Sequence, residues 1–487
     1  MTRINTNVTS MLAQRVLRNQ NLGLQESLER LSTGLRINRG KDNPAGLIAS
    51  ENLRAEKAAI TAAISNGERA EQVVNVAEGG LQEINNLLVE LQSLVGETAN
   101  KAGITSDEKN ANQLQIDSIL STIDRIANAT SFNGIKLLNG NFDYTTSGVA
   151  STVNDVTVNA ARLSDAAGSY IDVTLDVVTS AQTAGVFMST GASLVNGGNG
   201  SITIEVTGND GVQQFTFASG TTQANIITAV NTFKDALGIS AVQSTADTNF
   251  VEIRSTGFGA SQFARVKVLE GTSDNLLGDD TTADTNDLKD AGTDASVLIN
   301  GTSATTDGLK ARIATSALDV TIDFSGTGAL NTNGASETFQ ITGGGADFNL
   351  SPDVNLAGKV SIGIETTTTG NLGNSVAGFL SALKSGGSAN VQNGDLTKAQ
   401  SIVDASIKQV SSLRGRLGAF QRNTVESTIN NLGVSLENVS AAESQIRDTD
   451  FAAETARLTR QQIMGQAATQ ALQIANSSPQ AVLALLG

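Results

Sequence analysis

The segment VNVAEGGLQEINNLLVELQSLV, residues 74–95, places its apolar side chains at helical spacing. These side chains are separated alternately by three and four positions: Val74, Ala77, Leu81, Ile84, Leu88, Leu91 and Val95. Because this spacing gathers them on one side of a helix, it predicts a long amphipathic helix that packs against other helices. The candidate core residues of this segment are Leu81, Ile84, Leu88 and Leu91.

The same spacing recurs near the other end of the chain, between residues 403 and 439. Steps of three and four lead to Leu413, Leu417 and Phe420, which are further candidate core residues. The next apolar residue of the series, Val425, follows five positions after Phe420. We therefore predict a second long helix whose register slips after Phe420.

The two ends of the chain carry narrower series of apolar residues. The N-terminal series is Leu17, Leu24, Leu28, Leu31 and Leu35, and the C-terminal series includes Ile463, Ala467 and Ile474, with Leu485 in the apolar tail. A seam this narrow is typical of a coiled coil and is too small for a self-sufficient core. We expect both ends to be marginally ordered in a free monomer and helical once many copies assemble. The alternative is that both helices fold onto the insert of their own chain.

The residue types that the chain lacks narrow its possible functions. Its 487 residues include no Cys, His or Trp. Without Cys and His there is no thiol nucleophile, no imidazole base and no usual zinc site, so any catalysis would depend on carboxylates, lysines or hydroxyls. The net charge of −16 argues against nucleic acid or an anionic membrane as a partner. No apolar run of about 18 residues predicts a membrane span.

The excess negative charge lies in the middle of the chain. Residues 143–395 contain 26 acidic and 10 basic residues, whereas the other 234 residues contain 22 of each. Period-two alternation at 201–206 and 212–218 predicts strands, and a helical pattern follows at 223–237. The predicted fold is therefore multidomain. Its two flanks form a terminal all-α coiled coil or helical bundle, and its central insert is β-rich α+β, with one or two modules.

No pattern of residues indicates an active site. The glycines at 257–259 and 343–345 lack the spacing and context of nucleotide-binding loops, so they indicate turns. Oxygen ligands suit hard cations, but the acidic residues of one segment lack the spacing of a calcium loop and favour a solvated loop: Asp279, Asp280, Asp284, Asp287 and Asp290. We predict no catalytic, cofactor-binding or metal-binding residues, and no enzymatic activity.

Two motifs at opposite ends of the chain resemble the signatures of bacterial flagellins. The first is LSTGLRIN at 31–38, followed by Lys41-Asp42 and by AGL at 45–47. The second is RDTDFAAE at 447–454, followed by ANSSPQ at 475–480. This resemblance covers residues 1–142 and 396–487, and residues 197–255 are also similar to an insert found in many flagellins.

The resemblance implies a layered subunit of the bacterial flagellar filament, a self-assembling structural protein of motility. Residues 1–44 and 444–487 would form the inner coiled-coil domain. Residues 45–142 and 396–443 would form an outer-tube helical domain with a hairpin. Residues 143–395 would be a variable insert exposed on the filament surface.

The family also implies partners and a location. Besides its own copies, these are the flagellar type III export apparatus, a C-terminal export chaperone, and the filament cap and junction proteins. The first residues lack an apolar segment, so we expect no secretory signal peptide. The expected location is extracellular, in the filament.

Many flagellins are bound by a vertebrate immune receptor through an arginine, a leucine and a glutamate. Alignment with the family places Glu90, Leu94 and Gln115 at these positions, so two of the three differ. A charge reversal at a polar hot spot typically costs several kcal/mol, about 2–5. We therefore expect weak or absent recognition by this receptor.

Two other functions fit parts of the sequence. A hook–filament junction protein would share both pairs of terminal helices. A surface adhesin, a different class of protein, would hold a ligand site in the insert. The abundance of the subunit in filaments would separate the first from a flagellin, and glycan binding by the insert would favour the second.

Overall fold

The computed structural model describes residues 6–100, 103–164, 166, 168–190, 200–245, 247–271, 276–278, 283–326 and 328–484, with the backbone alone for 283–284 and 478–484. These residues form two compact units. The first unit comprises the described residues up to 70, residues 349–358 and the described residues from 422 onward. The second comprises residues 71–348 and 359–421, with the gaps given above.

The helices in the described part of the chain are α1 (Val8–Thr33), α2 (Pro44–Thr98), α3 (Ser106–Ala129), α4 (Gln223–Thr232), α5 (Lys234–Leu237), α6 (Leu396–Phe420), α7 (Ser427–Arg447) and α8 (Phe451–Ala484). A short 3-10 helix lies at Leu380–Leu383. None of the described helices combines the length and the apolar character that crossing a membrane requires. Pro44 opens α2, where its missing N–H costs nothing, and the Asn43 side chain accepts a hydrogen bond from the Gly46 N–H (2.9 Å).

In the first unit, the start of α2 packs against α7. Ile60 and Ala63 of α2 form a buried cluster with Leu432 of α7. At the exposed edge of this contact, Glu443 pairs with Lys57 at 3.4 Å. A partly exposed ion pair contributes little stability, so the packing of α2 on α7 is stabilised mainly by the buried apolar side chains.

In the second unit, the rest of α2 lies beside α3 and α6. The candidate core residues of these helices are all buried: Leu81, Ile84, Leu88, Leu91, Leu413, Leu417 and Phe420. Gln92 of α2 donates to Asp404 of α6 (2.7 Å), and Glu78 pairs with Arg414 (2.8 Å). The apolar stripe of residues 74–95 is thus covered by helices, as its spacing predicts.

A π-helix, Gln421–Glu426, separates α6 from α7. It lies where the apolar series takes a step of five residues, from Phe420 to Val425, and both of these side chains are buried. A π turn accommodates one residue more than an α turn. The extra residue in the apolar series is therefore accommodated by the wider backbone turn.

A tight hairpin follows α3. Its strands are β1 (Ser131–Phe132) and β2 (Ile135–Lys136), which pair antiparallel. The two turn residues, Asn133 and Gly134, have φ values of 49° and 83°. Asn-Gly suits such a turn because both positions require positive φ.

The insert contains two modules, each with its own core. The host module has two sheets and a core that extends from Tyr144 to Ile341. Its strands are β3 (Thr145–Ser147), β4 (Val153–Ala161), β5 (Ile171–Thr179), β15 (Ser296–Ile299), β16 (Thr302–Ser303), β17 (Thr305–Asp307), β18 (Lys310–Ala314), β19 (Leu318–Phe324) and β20 (Ser336–Gly343). The sheet orders are β16-β15-β5-β20-β3 and β17-β18-β19-β4.

The nested module lies in the chain between β5 and β15 of the host module. Its strands are β6 (Gly185–Ser189), β7 (Ser201–Thr207), β8 (Val212–Ala218), β9 (Ile239–Gln243), β10 (Phe250–Ser255), β11 (Phe263–Glu270), β12 (Leu277–Gly278), β13 (Ala283–Thr285) and β14 (Asp287–Ala291). The sheet orders are β13-β12-β6-β10-β9 and β14-β11-β7-β8, and α4 packs against β9. A separate apolar core, from Ala184 to Leu277, holds the module together.

Two short hairpins complete the described strands. They are β21 (Ala346–Asn349) with β22 (Lys359–Ile362), and β23 (Gly373–Asn374) with β24 (Gly378–Phe379). Helices at both ends and a β-rich middle confirm the predicted fold class.

Candidate assembly interface

The two motifs found near the chain ends meet in the first unit. Leu35 and Asp448 form an isolated antiparallel bridge. The Arg36 N–H donates to the Arg447 carbonyl (2.7 Å), and the Thr449 N–H donates to the Gly34 carbonyl (2.9 Å). The end of α1 is therefore joined by backbone hydrogen bonds to the turn between α7 and α8.

A helix cap at Gly34 and hydrogen bonds from the Arg36 side chain stabilise this junction. Gly34 ends α1 in the left-handed conformation, with φ of 74°, and its N–H donates to the Arg30 carbonyl. The Arg36 guanidinium donates to the carbonyls of Gln445 (3.2 Å) and Ile446 (2.5 Å). These carbonyls lie in the last turn of α7, where they have no partner within the helix.

From this junction, α1 and α8 run antiparallel and pack along each other. Asn7 donates to the Ala475 carbonyl (2.8 Å) at one end, and Ser27 donates to Glu454 (2.6 Å) at the other. Between them, a Cβ at Gly23 would lie 2.8 Å from Nε2 of Gln461. The absence of a side chain at position 23 thus makes room for the Gln461 amide.

A buried carboxylate lies in this helix pair. Glu454 is 5% exposed and accepts the Ser27 hydrogen bond, while Arg30 lies 3.8 Å away and Arg457 3.6 Å away. Burying a carboxylate is costly unless it is paired and hydrogen-bonded. Because the partners sit at fixed positions on both helices, this cluster favours one register of α1 against α8.

The structure places the N-terminal candidate residues on different sides of α1. Leu17, Leu24 and Leu31 are half-buried. They continue a seven-residue repeat that begins at Ser10, whose hydroxyl donates to the Asn476 side chain of α8 (2.7 Å). Leu28 is 50% exposed. Leu35 lies beyond the helix, in the bridge to Asp448.

The described C-terminal candidates are exposed to solvent. Ile463 is 60% exposed, Ile474 is 70% exposed, Ala467 is also exposed, and Leu485 lies outside the described residues. A different series on α8 contacts α1 or is buried beside it, and it repeats every seven residues: Glu454, Gln461, Ala468 and Ala475. The apolar pattern of the sequence does not indicate this series, because its members are charged, polar or small.

The α1–α8 pair also exposes many large apolar side chains. On α1 these are Val8, Met11, Leu12, Val16, Leu22 and Leu28, and on α8 they are Phe451, Ile463, Met464 and Ile474. Some of them border an apolar groove between the two helices, lined by Leu12, Val16, Ala468, Ala471 and Ile474 among others. In the described structure, a two-helix pair thus leaves much of its apolar surface open to solvent.

Comparison with known proteins identifies the family. Residues 4–143 match the family described as bacterial flagellin N-terminal helical region, and residues 400–486 match its C-terminal helical region. A flagellin from Salmonella choleraesuis is 30% identical over 528 residues, with 99% of both chains covered. The chain belongs to the bacterial flagellin family. Flagellin D from Vibrio anguillarum is 28% identical over 485 residues, again with 99% of both chains covered.

This flagellin is therefore a structural subunit of the flagellar filament, which is extracellular, and the full-length match favours that function over a junction protein or an adhesin. Among solved structures, this chain is similar to the flagellar hook associated protein-3 from Legionella pneumophila, at 10% sequence identity and a TM-score of 0.30. The match covers 81% of this chain and 98% of the Legionella chain.

The three positions aligned with the immune-receptor site lie in the second unit. Gln115 of α3 donates to the Glu90 carboxylate of α2 (3.3 Å), and both side chains are exposed. Leu94 is only 6% exposed. An acid and an amide thus occupy the two exposed positions of this set.

The acidic residues considered as cation ligands are engaged elsewhere where they are described. Asp287 pairs with Arg265 (2.7 Å), which holds the pKa of Asp287 below its usual value, and Asp290 accepts from the Gly185 N–H (2.7 Å). Asp279 and Asp280 lie outside the described residues, as does the side chain of Asp284.

Proposed function

We propose that neighbouring copies complete the α1–α8 pair when this flagellin polymerises. In this proposal, residues 1–44 and 444–487 form the inner coiled-coil layer, and residues 45–142 with 396–443 form the outer tube. Residues 143–395 project from the filament surface. The observation that carries the proposal is the exposed apolar side chains of α1 and α8, which have no cover in the described chain.

The energetics favour such completion. Each buried isoleucine or leucine contributes about 1.5–3 kcal/mol relative to its exposed state. The ten large apolar side chains exposed on the helix pair could therefore offset the entropy of ordering two long helices once neighbours cover them. Ile463, Ala467 and Ile474 serve in this proposal as contacts between copies, whereas Leu17, Leu24 and Leu31 pack within one copy.

The charge distribution supports the same arrangement. The flanks have equal numbers of acidic and basic residues, so they can pack in large numbers without accumulated repulsion. The insert carries the whole net charge of −16. At the filament surface this charge is screened beyond about 10 Å in 0.1 M salt, and it opposes the aggregation of filaments.

The test is elongation of filament seeds by purified full-length monomer. We expect the double variant Ile463→Ser and Ile474→Ser to raise the monomer concentration needed for elongation by tenfold or more, because both side chains lose their burial against neighbours. The matched control is Val149→Ser with Val178→Ser, two exposed apolar residues of the insert. Its elongation should equal that of the unmodified chain.

Two outcomes would contradict the proposal. One is unchanged elongation by the Ile463 and Ile474 variant, measured by light scattering and electron microscopy of filament length. The other is a free monomer in which the amide protons of α1 and α8 already exchange as slowly as they do in the filament. Either result would mean that the helix pair needs no neighbour.

Secretion through the flagellar type III apparatus, capture of α8 by an export chaperone, and contact with the cap and junction proteins form the second part of the proposal. The absence of Cys suits a chain that is exported unfolded, since no disulfide could form early. The exposed apolar residues of α8 would suit a chaperone groove. Co-purification from cells should show a chaperone with the unmodified chain and with the insert control, and less of it with the Ile463 and Ile474 variant.

A further inference from the structure

Asparagine followed by glycine is the dipeptide most prone to deamidation, because glycine has no Cβ to hinder attack by its backbone nitrogen. The chain contains eight such pairs, and their asparagines are Asn66, Asn133, Asn139, Asn196, Asn199, Asn300, Asn333 and Asn393. Residues 196 and 199 lie outside the described part of the chain. The structure restrains the other six to different degrees, and these differences indicate where the reaction occurs.

In three of the six pairs, the glycine N–H is already hydrogen-bonded. Gly67 lies inside α2, where backbone N–H groups donate along the helix. The Gly334 N–H donates to the Val177 carbonyl (2.7 Å), and the Gly394 N–H donates to the Asn390 carbonyl (2.8 Å). The nitrogen that must attack the asparagine is thus held by a carbonyl acceptor, so these three pairs should react slowly.

Asn133 and Asn300 are a matched pair, because each begins a two-residue turn between antiparallel strands. Their φ values are 49° and 50°, and the glycines that follow have φ values of 83° and 75°. The Asn300 side chain is tied at both atoms: its oxygen accepts from the Thr174 N–H (2.7 Å), and its nitrogen donates to the Asp172 carbonyl (3.1 Å). The Asn300 amide must break both hydrogen bonds before it can approach the Gly301 nitrogen.

The Asn133 side chain is exposed, and it has no hydrogen-bond partner among the described residues. Its hairpin is a sheet of two strands with two residue pairs, whereas the strand before Asn300 also pairs with β5 in a five-stranded sheet. A two-stranded ribbon this short opens locally at low cost. Asn139 lies between these extremes, because it is half-buried and its side chain accepts from the Asn141 N–H (3.4 Å).

We propose that Asn133 is a site of spontaneous deamidation and reacts faster than every other Asn-Gly pair in the described residues. The Gly134 nitrogen loses its proton to solvent hydroxide and forms a bond to Cγ of Asn133. The bond from Cγ to the side-chain nitrogen breaks, and this nitrogen takes a proton from water and leaves as ammonia. The succinimide ring then takes up one water molecule and opens to aspartate or isoaspartate. Either product adds one negative charge per copy to flanks that otherwise contain 22 acidic and 22 basic residues.

The test measures all six sites in the unmodified full-length monomer. The chain is incubated in mildly alkaline buffer, digested with trypsin and analysed by mass spectrometry. Cleavage after lysine and arginine places Asn133, Asn139 and Asn300 on separate peptides, 126–136, 137–162 and 290–310. We expect Asn133 to convert several-fold faster than Asn300, and faster than the other four sites. The variant Asn133→Asp supplies the chromatographic standard that distinguishes aspartate from isoaspartate.

Incubation of the same chain in concentrated urea is the matched control. Both Asn133 and Asn300 precede glycine, so their rates should be similar once the fold is removed. Three results would each overturn the proposal. They are conversion of any other described site as fast as Asn133 in the folded chain, conversion of Asn133 in urea alone, and a ratio of the Asn133 and Asn300 rates that urea does not change. Because the monomer is tested, the outcome does not depend on filament assembly.

Discussion

The Ser27 hydroxyl donates a 2.6 Å hydrogen bond to the Glu454 carboxylate, and both side chains are buried although 427 positions separate them in sequence. Helices α1 and α8 therefore contact each other through a buried polar pair as well as through apolar side chains. A contact of this kind contributes little net stability but penalises any register that leaves the carboxylate unpaired.

Loss of the Ser27 hydroxyl should accordingly be costly. We expect Ser27→Ala to destabilise the helix pair by about 1–3 kcal/mol, because the buried carboxylate loses a hydrogen bond. The measurement is the melting temperature of assembled filaments by calorimetry. Ser32→Ala, at an exposed position of the same helix, is the control and should leave that temperature unchanged. Equal effects of the two substitutions would contradict the assigned role of Ser27.

Gly34 and Gly433 should respond to alanine with opposite signs. Gly34 has φ of 74°, so Gly34→Ala should cost about 1–2 kcal/mol. Gly433 lies inside α7, where an added Cβ would meet no neighbouring side chain of the described residues within 4 Å, so Gly433→Ala should stabilise that helix by about 1 kcal/mol. Chemical denaturation of assembled filaments, followed by circular dichroism at 222 nm, gives both values. A stabilising effect at Gly34 would disprove the left-handed cap.

Asp124 provides a prediction about pH. Burial alone would raise the pKa of this carboxyl, but hydrogen bonds from the Thr369 N–H (2.8 Å) and hydroxyl (2.9 Å), and from Lys384 (3.3 Å), lower the pKa below its ordinary 3.8. A lowered pKa in the folded state stabilises the fold at pH values above the unfolded pKa, and this stabilisation is lost as the pH falls through the folded pKa.

Asp124→Asn should therefore destabilise the second unit by about 1–2 kcal/mol at pH 7, and the difference from the unmodified chain should shrink as the pH approaches 2. Urea unfolding at several pH values measures this. Asp307→Asn, at an exposed position, is the control. A difference that does not depend on pH would show that the charge of Asp124 is not responsible.

The vertebrate receptor should bind the unmodified flagellin weakly, and it should bind more strongly once an arginine and a glutamate replace Glu90 and Gln115. In the double variant Glu90→Arg with Gln115→Glu, residues of opposite charge occupy two positions that already contact each other at 3.3 Å, so the fold should tolerate it. We expect at least a tenfold lower concentration for half-maximal signalling in a reporter-cell assay. If the unmodified chain signals as strongly as the variant, the assigned positions are wrong.

Much of the helical framework could be predicted from spacing alone. The series from Val74 to Val95 indicated a buried face because apolar residues recur with the helical period, and the step of five after Phe420 indicated the position of the π-helix, although not its form. The face of α8 that meets α1 could not be found in this way. Glu454 and Gln461 are not apolar, and they become contact residues only through Ser27 and Gly23 of a distant helix.

The insert shows the same limit for strands. Alternation located β7 and β8, because one side of each strand is buried. It could not tell whether the insert has one module or two, since alternation contains no information about pairing. That distinction depends on β5, which pairs with β15 and β20 across the intervening nested module.

The nested module begins and ends at adjacent positions of its host. Gln182 and Thr293 exchange two backbone hydrogen bonds, of 2.9 and 3.1 Å, just before the first and just after the last strand of the module. Excision of the whole segment between them would leave two chain ends close enough for a turn of a few residues to rejoin. The nested module is thus exchangeable. A foreign domain whose own termini lie side by side could be grafted at this point, or the segment could be lost in evolution, while the host sheets keep every strand they now have.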